Sequence, residues 1–186
     1  GYCDGKMRLI STLSWRESFA FDHASTLDEI NDTNSTPELN IYVESENGDD
    51  GPLYEAVSKP YKVEKLSQAD MAAMKDGLPR VGVSRIVVSH CSQYAATVCE
   101  SCPNHVWIWD LQRLCLNSLI VQKKWVSDVC WAPGTLNLNI SSNDGKIFLW
   151  SLRGASVCQV PAMSSKENFK VSQVLWNGSG KVSRPS

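Results

Sequence analysis

Apolar and polar residues alternate in three short segments that superpose on one another: VSRIVVS from Val83, VSDVCWA from Val126 and VSQVLWN from Val171. The alternation has the two-residue period of a strand, and the β-branched content suits one buried between sheets. Spacings of 43 and 45 residues make the three segments one recurring element. A second recurring element follows the first: VWIWDL from Val106 corresponds to IFLWSL from Ile147, with Trp109 and Trp150 separated by 41 residues. A third similarity links the two ends of the chain, where DGKMRLI from Asp4 matches DGKIFLW from Asp144. Asp-Gly is a tight-turn signal because glycine accepts positive φ without steric cost. Each such turn is expected to join the second and third strands of a repeating unit.

A period of 41 to 45 residues with a Trp-Asp pair at Trp109 and Asp110 resembles the WD40 repeat, whose unit is a four-stranded propeller blade. The expected fold is therefore all-β, a fragment forming the C-terminal part of a larger WD40 β-propeller. Residues 1–23 would end one blade, with LSWRESFAF (Leu13 to Phe21) as its outer strand. Residues 24–80 would be an insertion or a degenerate blade, 81–121 and 122–162 two full blades, and 163–186 the start of a truncated one. The structural repeat positions are Asp4, Gly5, Trp109, Asp110, Trp131, Asp144, Gly145, Trp150 and Trp176, and the tryptophans are expected to pack between blades. Repeat spacing leaves about 52 residues unaccounted for before Val83, with LNIYVE (Leu39 to Glu44) and YKVEKL (Tyr61 to Leu66) as candidate strands. The acidic ESENGDDG (Glu44 to Gly51) reads as a mobile loop without the ligand spacing of a calcium site, and DMAAM (Asp70 to Met74) as one helical turn.

Composition narrows the function. With 42% hydrophobic and 20% charged residues in 186, the chain reads as an ordinary soluble globular one. A net charge of −2 supplies no basic field, which argues against nucleic acid and anionic membrane surfaces as partners. No apolar run approaches the ~20 residues of a membrane helix. Seven cysteines, an odd number without regular spacing, fit a reducing compartment and point to an intracellular protein. The start at Gly1 suggests a fragment, and Lys181-Val182-Ser183 reads as translated splice-donor sequence, as if retained intron ended the last blade.

Chemical motifs are weak. GSGK (Gly178 to Lys181) lacks the upstream glycine and the following Ser or Thr of a phosphate loop. Cys99 and Cys102 form a CxxC with Cys91, His90 and His105 nearby, enough donors for a zinc site, but a hairpin with small buried thiols is the simpler reading. Cys115, Cys130 and Cys158 fall in strand patterns and read as core. None of the three histidines, His23, His90 and His105, belongs to a nucleophile motif. No catalytic residue, cofactor or metal is expected, and the sequons at Asn31, Asn34, Asn139 and Asn177 read as chance in an intracellular chain.

The run from DGKMRLI and LSWRESFAF, through IYVES, to VSRIVVSHCSQYAATV, PNHVWIWDLQRL, WAP, IFLWS and CQVP resembles the WD repeat-containing protein 8 family. This is a centrosomal and spindle-pole family, also known as the WD repeat protein encoded antisense to the tumour protein 73 gene. The most specific segments are Pro103 to Leu114 and Cys158 to Pro161, while the Cys99 and Cys102 pair departs from the family pattern. The resemblance implies a non-enzymatic scaffold of the cytoplasm and cytoskeleton. Its partner would be a coiled-coil centriolar-satellite protein of the synovial sarcoma X breakpoint-interacting type, and its role the anchoring of microtubule minus ends at spindle poles. A general WD40 adaptor of a trafficking or ubiquitin-ligase complex is the alternative, and a propeller enzyme or zinc protein a more distant one.

Overall fold

The computed structural model describes residues 4–27, 39–45, 53–67, 69–70, 82–161, 170–177 and 182–183. Its elements are β1 (Lys6–Ile10), β2 (Glu17–Asp22), β3 (Thr26–Leu27), β4 (Asn40–Ser45), β5 (Leu53–Val57), β6 (Tyr61–Lys62), β7 (Val83–Val88), β8 (Tyr94–Cys99), β9 (Cys102–Asp110), β10 (Cys115–Val121), β11 (Val126–Trp131), β12 (Leu138–Ser142), β13 (Lys146–Ser151), β14 (Gly154–Gln159), β15 (Leu175–Trp176) and β16 (Val182–Ser183). The strands β11 to β14 form a four-stranded antiparallel meander, one blade. The strands β7 to β10 form the same meander in the preceding blade, and both inner strands carry a bulge at the equivalent serine, Ser84 and Ser127. Separate two-stranded sheets are made by β1 with β2, β3 with β6, and β15 with β16.

The apolar runs Val106–Trp109 in β9 and Leu119–Val121 in β10 follow from burial on both faces. On one face Ala96, Val98, Ile108 and Ile120 meet Val129, Ile140, Phe148 and Trp150 of the next blade. On the other, Ala95, Trp107, Trp109 and Leu119 meet Met7 and Phe21 of the β1–β2 hairpin, with Ile41 and Val63 beside them. Consecutive residues of one strand thus serve two different seams, as the alternating pleat requires.

The segment left open by the repeat spacing joins the first blade. β4 pairs parallel with β10, and β5 pairs antiparallel with β4, so the sheet has six strands in the order β5-β4-β10-β9-β8-β7. YKVEKL contributes only Tyr61 and Lys62 as a strand. ESENGDDG beyond Ser45 and DMAAM beyond Asp70 lie outside the described residues.

Three expectations are corrected. LSWRESFAF is not one strand: β2 begins at Glu17, while Leu13 and Trp15 stand in the preceding turn, 97% and 80% exposed, with Trp15 at φ 54°. Alternating side chains alone could not reveal that Ser11 closes a backbone loop onto Trp15 and Arg16. VSRIVVS is a strand but not a buried one, since β7 ends its sheet and leaves Ile86 and Val88 exposed. Of the cysteines read as core, Cys158 is exposed and Cys115 and Cys130 are half-buried, because each lies at a strand end or on an edge strand.

Candidate functional site

The features that organise this chain lie in the seams between blades. Trp131, the sixth residue of its inner-strand segment, donates its indole N–H to the carbonyl of Val87 at 3.1 Å. Trp176 occupies the same position one repeat later and donates to the carbonyl of Cys130, also at 3.1 Å. Val87 and Cys130 are themselves equivalent, each being the fifth residue of its segment. One contact is therefore written twice, with the indole's apolar body in the seam and its single donor satisfied on the neighbouring backbone. Asp128 works between the same blades: its carboxylate accepts from Arg85 Nη1 of the preceding blade at 3.0 Å and from the backbone N–H of Val174 of the following one at 3.4 Å.

Third-strand tryptophans repeat in the same manner. Trp150 meets Trp131 edge-on at 5.8 Å between centroids and Tyr94 of the preceding blade at 6.1 Å. Trp109 packs against Phe21 of the hairpin before it at 5.1 Å and stacks on Trp107 at 5.8 Å. Asp110, which follows it, is buried and caps the next turn by accepting from the backbone N–H groups of Gln112 and Arg113 at 2.9 Å each.

The two Asp-Gly turns adopt one geometry. Gly5 and Gly145 have φ of 72° and 76°, the region glycine enters without cost. Asp4 Oδ1 accepts the N–H of Lys6 at 3.2 Å, and Asp144 Oδ1 that of Lys146 at 3.3 Å. The Arg8 guanidinium beside Asp4 holds its carboxyl down to about 2.

A buried polar chain missed by sequence reasoning crosses the seam before β8. His23 Nδ1 lies 2.6 Å from the carbonyl of Gly5, which can only accept, so Nδ1 carries the proton. Nε2 is then the acceptor, and the Thr97 hydroxyl donates to it at 2.7 Å. Thr97 Oγ1 in turn accepts the indole N–H of Trp109 at 2.9 Å. Burial pushes the His23 imidazole below its ordinary value, in keeping with this neutral tautomer. The legible signal was a threonine in the middle of the apolar run YAATVC. Its counterpart by strand register is Ile140, so the next seam lacks the chain.

The cysteine-rich hairpin brings Cys99 opposite Cys102 at the β8–β9 turn, both buried. Cys91 is exposed, and His105 is buried with Nδ1 at 2.8 Å from Asn104 Oδ1. Among the described residues no three His, Cys, Asp or Glu side chains converge as a metal site would need.

No family model matches the chain. The mouse protein "WD repeat-containing protein WRAP73" is 29% identical over 205 aligned residues, covering 97% of this chain and 40% of that protein. An uncharacterized WD repeat-containing protein of Schizosaccharomyces pombe is 26% identical over 191 residues, covering 94% of this chain and 35% of its own length. The chain thus spans less than half the length of the curated relatives it matches. A chain in the "Crystal Structure of Mitotic Checkpoint Complex" superposes with a TM-score of 0.41 at 15% identity, over 53% of this chain and 31% of that one. Together with the repeated seams, the two WD-repeat relatives make the fold that of a WD40 β-propeller fragment, and they support a WD-repeat family for this chain.

Proposed function

We propose that this chain is part of a non-enzymatic WD40 scaffold that acts at centrosomes and spindle poles, where it helps anchor microtubule minus ends with a coiled-coil centriolar-satellite partner. The observation that carries the scaffold reading is the repeated Trp131–Val87 and Trp176–Cys130 contact. Such seams hold adjacent blades in one register, and a propeller's binding surface is assembled from loops that only stacked blades keep in place. The spindle-pole reading is supported by the family-like segments from Asp4 to Pro161 and by the similarity to the mouse WD repeat protein. The test is localisation of the tagged full-length protein through mitosis, with pull-down of its partners. Concentration at the poles with a coiled-coil satellite protein is the expected result; diffuse signal with trafficking or ubiquitin-ligase subunits in the pull-down moves the protein to the general adaptor class.

A further inference from the structure

Cys99 and Cys102 are directly opposed Cα partners across the two-residue turn Glu100-Ser101. Opposed residues of an antiparallel pair project to the same face, with Cα atoms roughly 4.5–5.5 Å apart, inside the span of roughly 4.4–6.8 Å that a disulfide bridges. In the seam, Cys99 Sγ donates to the carbonyl of Gly82 at 3.3 Å and lies 3.2 Å from Ser101 Oγ. Cys99 also lines a cavity of about 230 Å³ whose wall includes Asp22, His23, Lys65 and Ser101. Cys99 is the member of the pair on that cavity wall, 2% exposed, while Cys102 is 0% exposed.

We propose that Cys99 and Cys102 form a peroxide-reactive dithiol, with Cys99 the attacking sulfur and Cys102 the resolving one. Their acidities are ordered the same way. Hydrogen bonding from Cys102 lowers the Cys99 thiol, with Ser101 adding to the effect, whereas the bond to Cys99 and then burial push Cys102 up. In the first step the Cys99 sulfur attacks one oxygen of hydrogen peroxide and the O–O bond breaks. The departing hydroxide takes the Cys99 proton as water, leaving a sulfenic acid. In the second step the Cys102 sulfur attacks that of Cys99, the S–S bond forms and the S–O bond breaks, and hydroxide leaves with the Cys102 proton as a second water. Two thiols are oxidised by two electrons and one peroxide is reduced to two waters.

The test treats folded full-length protein with hydrogen peroxide, removes the peroxide with catalase, then unfolds the protein in urea, blocks remaining thiols with an alkylating agent, and measures the mass of the peptide containing residues 99–102. The expected product has lost two hydrogens, resists alkylation at both cysteines and is restored by dithiothreitol. Cys102→Ser should trap a sulfenic acid at Cys99 that dimedone captures, and Cys99→Ser should leave Cys102 unreacted. Exposed Cys91 and Cys158 report that the oxidant reached the protein. The proposal is overturned if those two are modified while Cys99 and Cys102 both remain alkylatable, or if the disulfide appears only when the peroxide is added after unfolding in urea. Should either variant fail to fold by near-ultraviolet circular dichroism, the wild-type mass measurement decides alone.

Discussion

Glu44 and Lys146 are 102 residues apart in sequence, yet the Lys146 ammonium donates to Glu44 Oε1 at 2.6 Å, with the carboxylate wholly buried. Glu44 Oε2 accepts the backbone N–H of Lys123 at 2.8 Å, and Asp144 Oδ2 lies 3.6 Å from the same ammonium. A strand outside the repeat is thereby pinned to the next blade. β4 pairs with β10 inside its own sheet, and across the seam the Tyr54 ring meets Phe148 at 5.5 Å, reinforcing the link.

Breaking that pair from one side should be severe, because it strands a buried charge. Lys146→Met is expected to destabilise the full-length protein by about 3–5 kcal/mol in urea unfolding. Adding Glu44→Gln should recover much of the loss. The exposed pair of Lys6 with Asp22 at 3.3 Å is the control, where Lys6→Ala should cost about 0–1 kcal/mol.

Trp150 is 2% exposed and joins Tyr94 to Trp131. Trp150→Ala should destabilise by about 3–5 kcal/mol, as expected for removing a buried large aromatic. Trp131→Phe keeps an aromatic ring, though a smaller one, and leaves the Val87 carbonyl without its indole donor; the lost hydrogen bond alone should cost about 0.5–1.5 kcal/mol. Equal effects from the two variants would contradict the packing described.

The exposed turn makes the opposite prediction. Leu13 and Trp15 bury little, so Leu13→Ser and Trp15→Ser together should shift stability by only about 0.5 kcal/mol each while raising the solubility of the chain. A large loss of stability would mean that another part of the full-length protein covers them.

Acid should weaken the fold through its buried histidines. Burial holds His23 below the ordinary value of 6.5 and takes His105 down to about 4, so both resist protonation in the folded chain relative to the unfolded one, which protonates near 6.5. Their contribution is intact above that value and is lost as pH falls from 6.5 towards the folded values. Each histidine contributes about 1.4 kcal/mol per pH unit across its window. Urea midpoints measured at neutral and mildly acidic pH should show this decline, and His105→Asn should make it shallower, leaving the part due to His23; a slope unchanged in that variant would assign the loss elsewhere.

Period and turn chemistry were legible in the residues themselves. Asp4-Gly5 and Asp144-Gly145 encode their turns locally, since the side chain reaches its own backbone and glycine alone takes the positive φ without cost. The recurrence of Val-Ser strands and Trp-bearing strands likewise determined the blade unit, because each blade repeats one pattern of faces to bury. Tertiary structure decided what no local rule reaches. It placed the Asn40–Ser45 strand parallel to β10, matched Glu44 to Lys146, left Ile86 exposed on a sheet edge, and set His23 against Thr97 at a distance of 74 residues. A strand's alternation says which side chains share a face, but only the neighbouring sheet determines whether that face meets water, an apolar wall or a complementary charge.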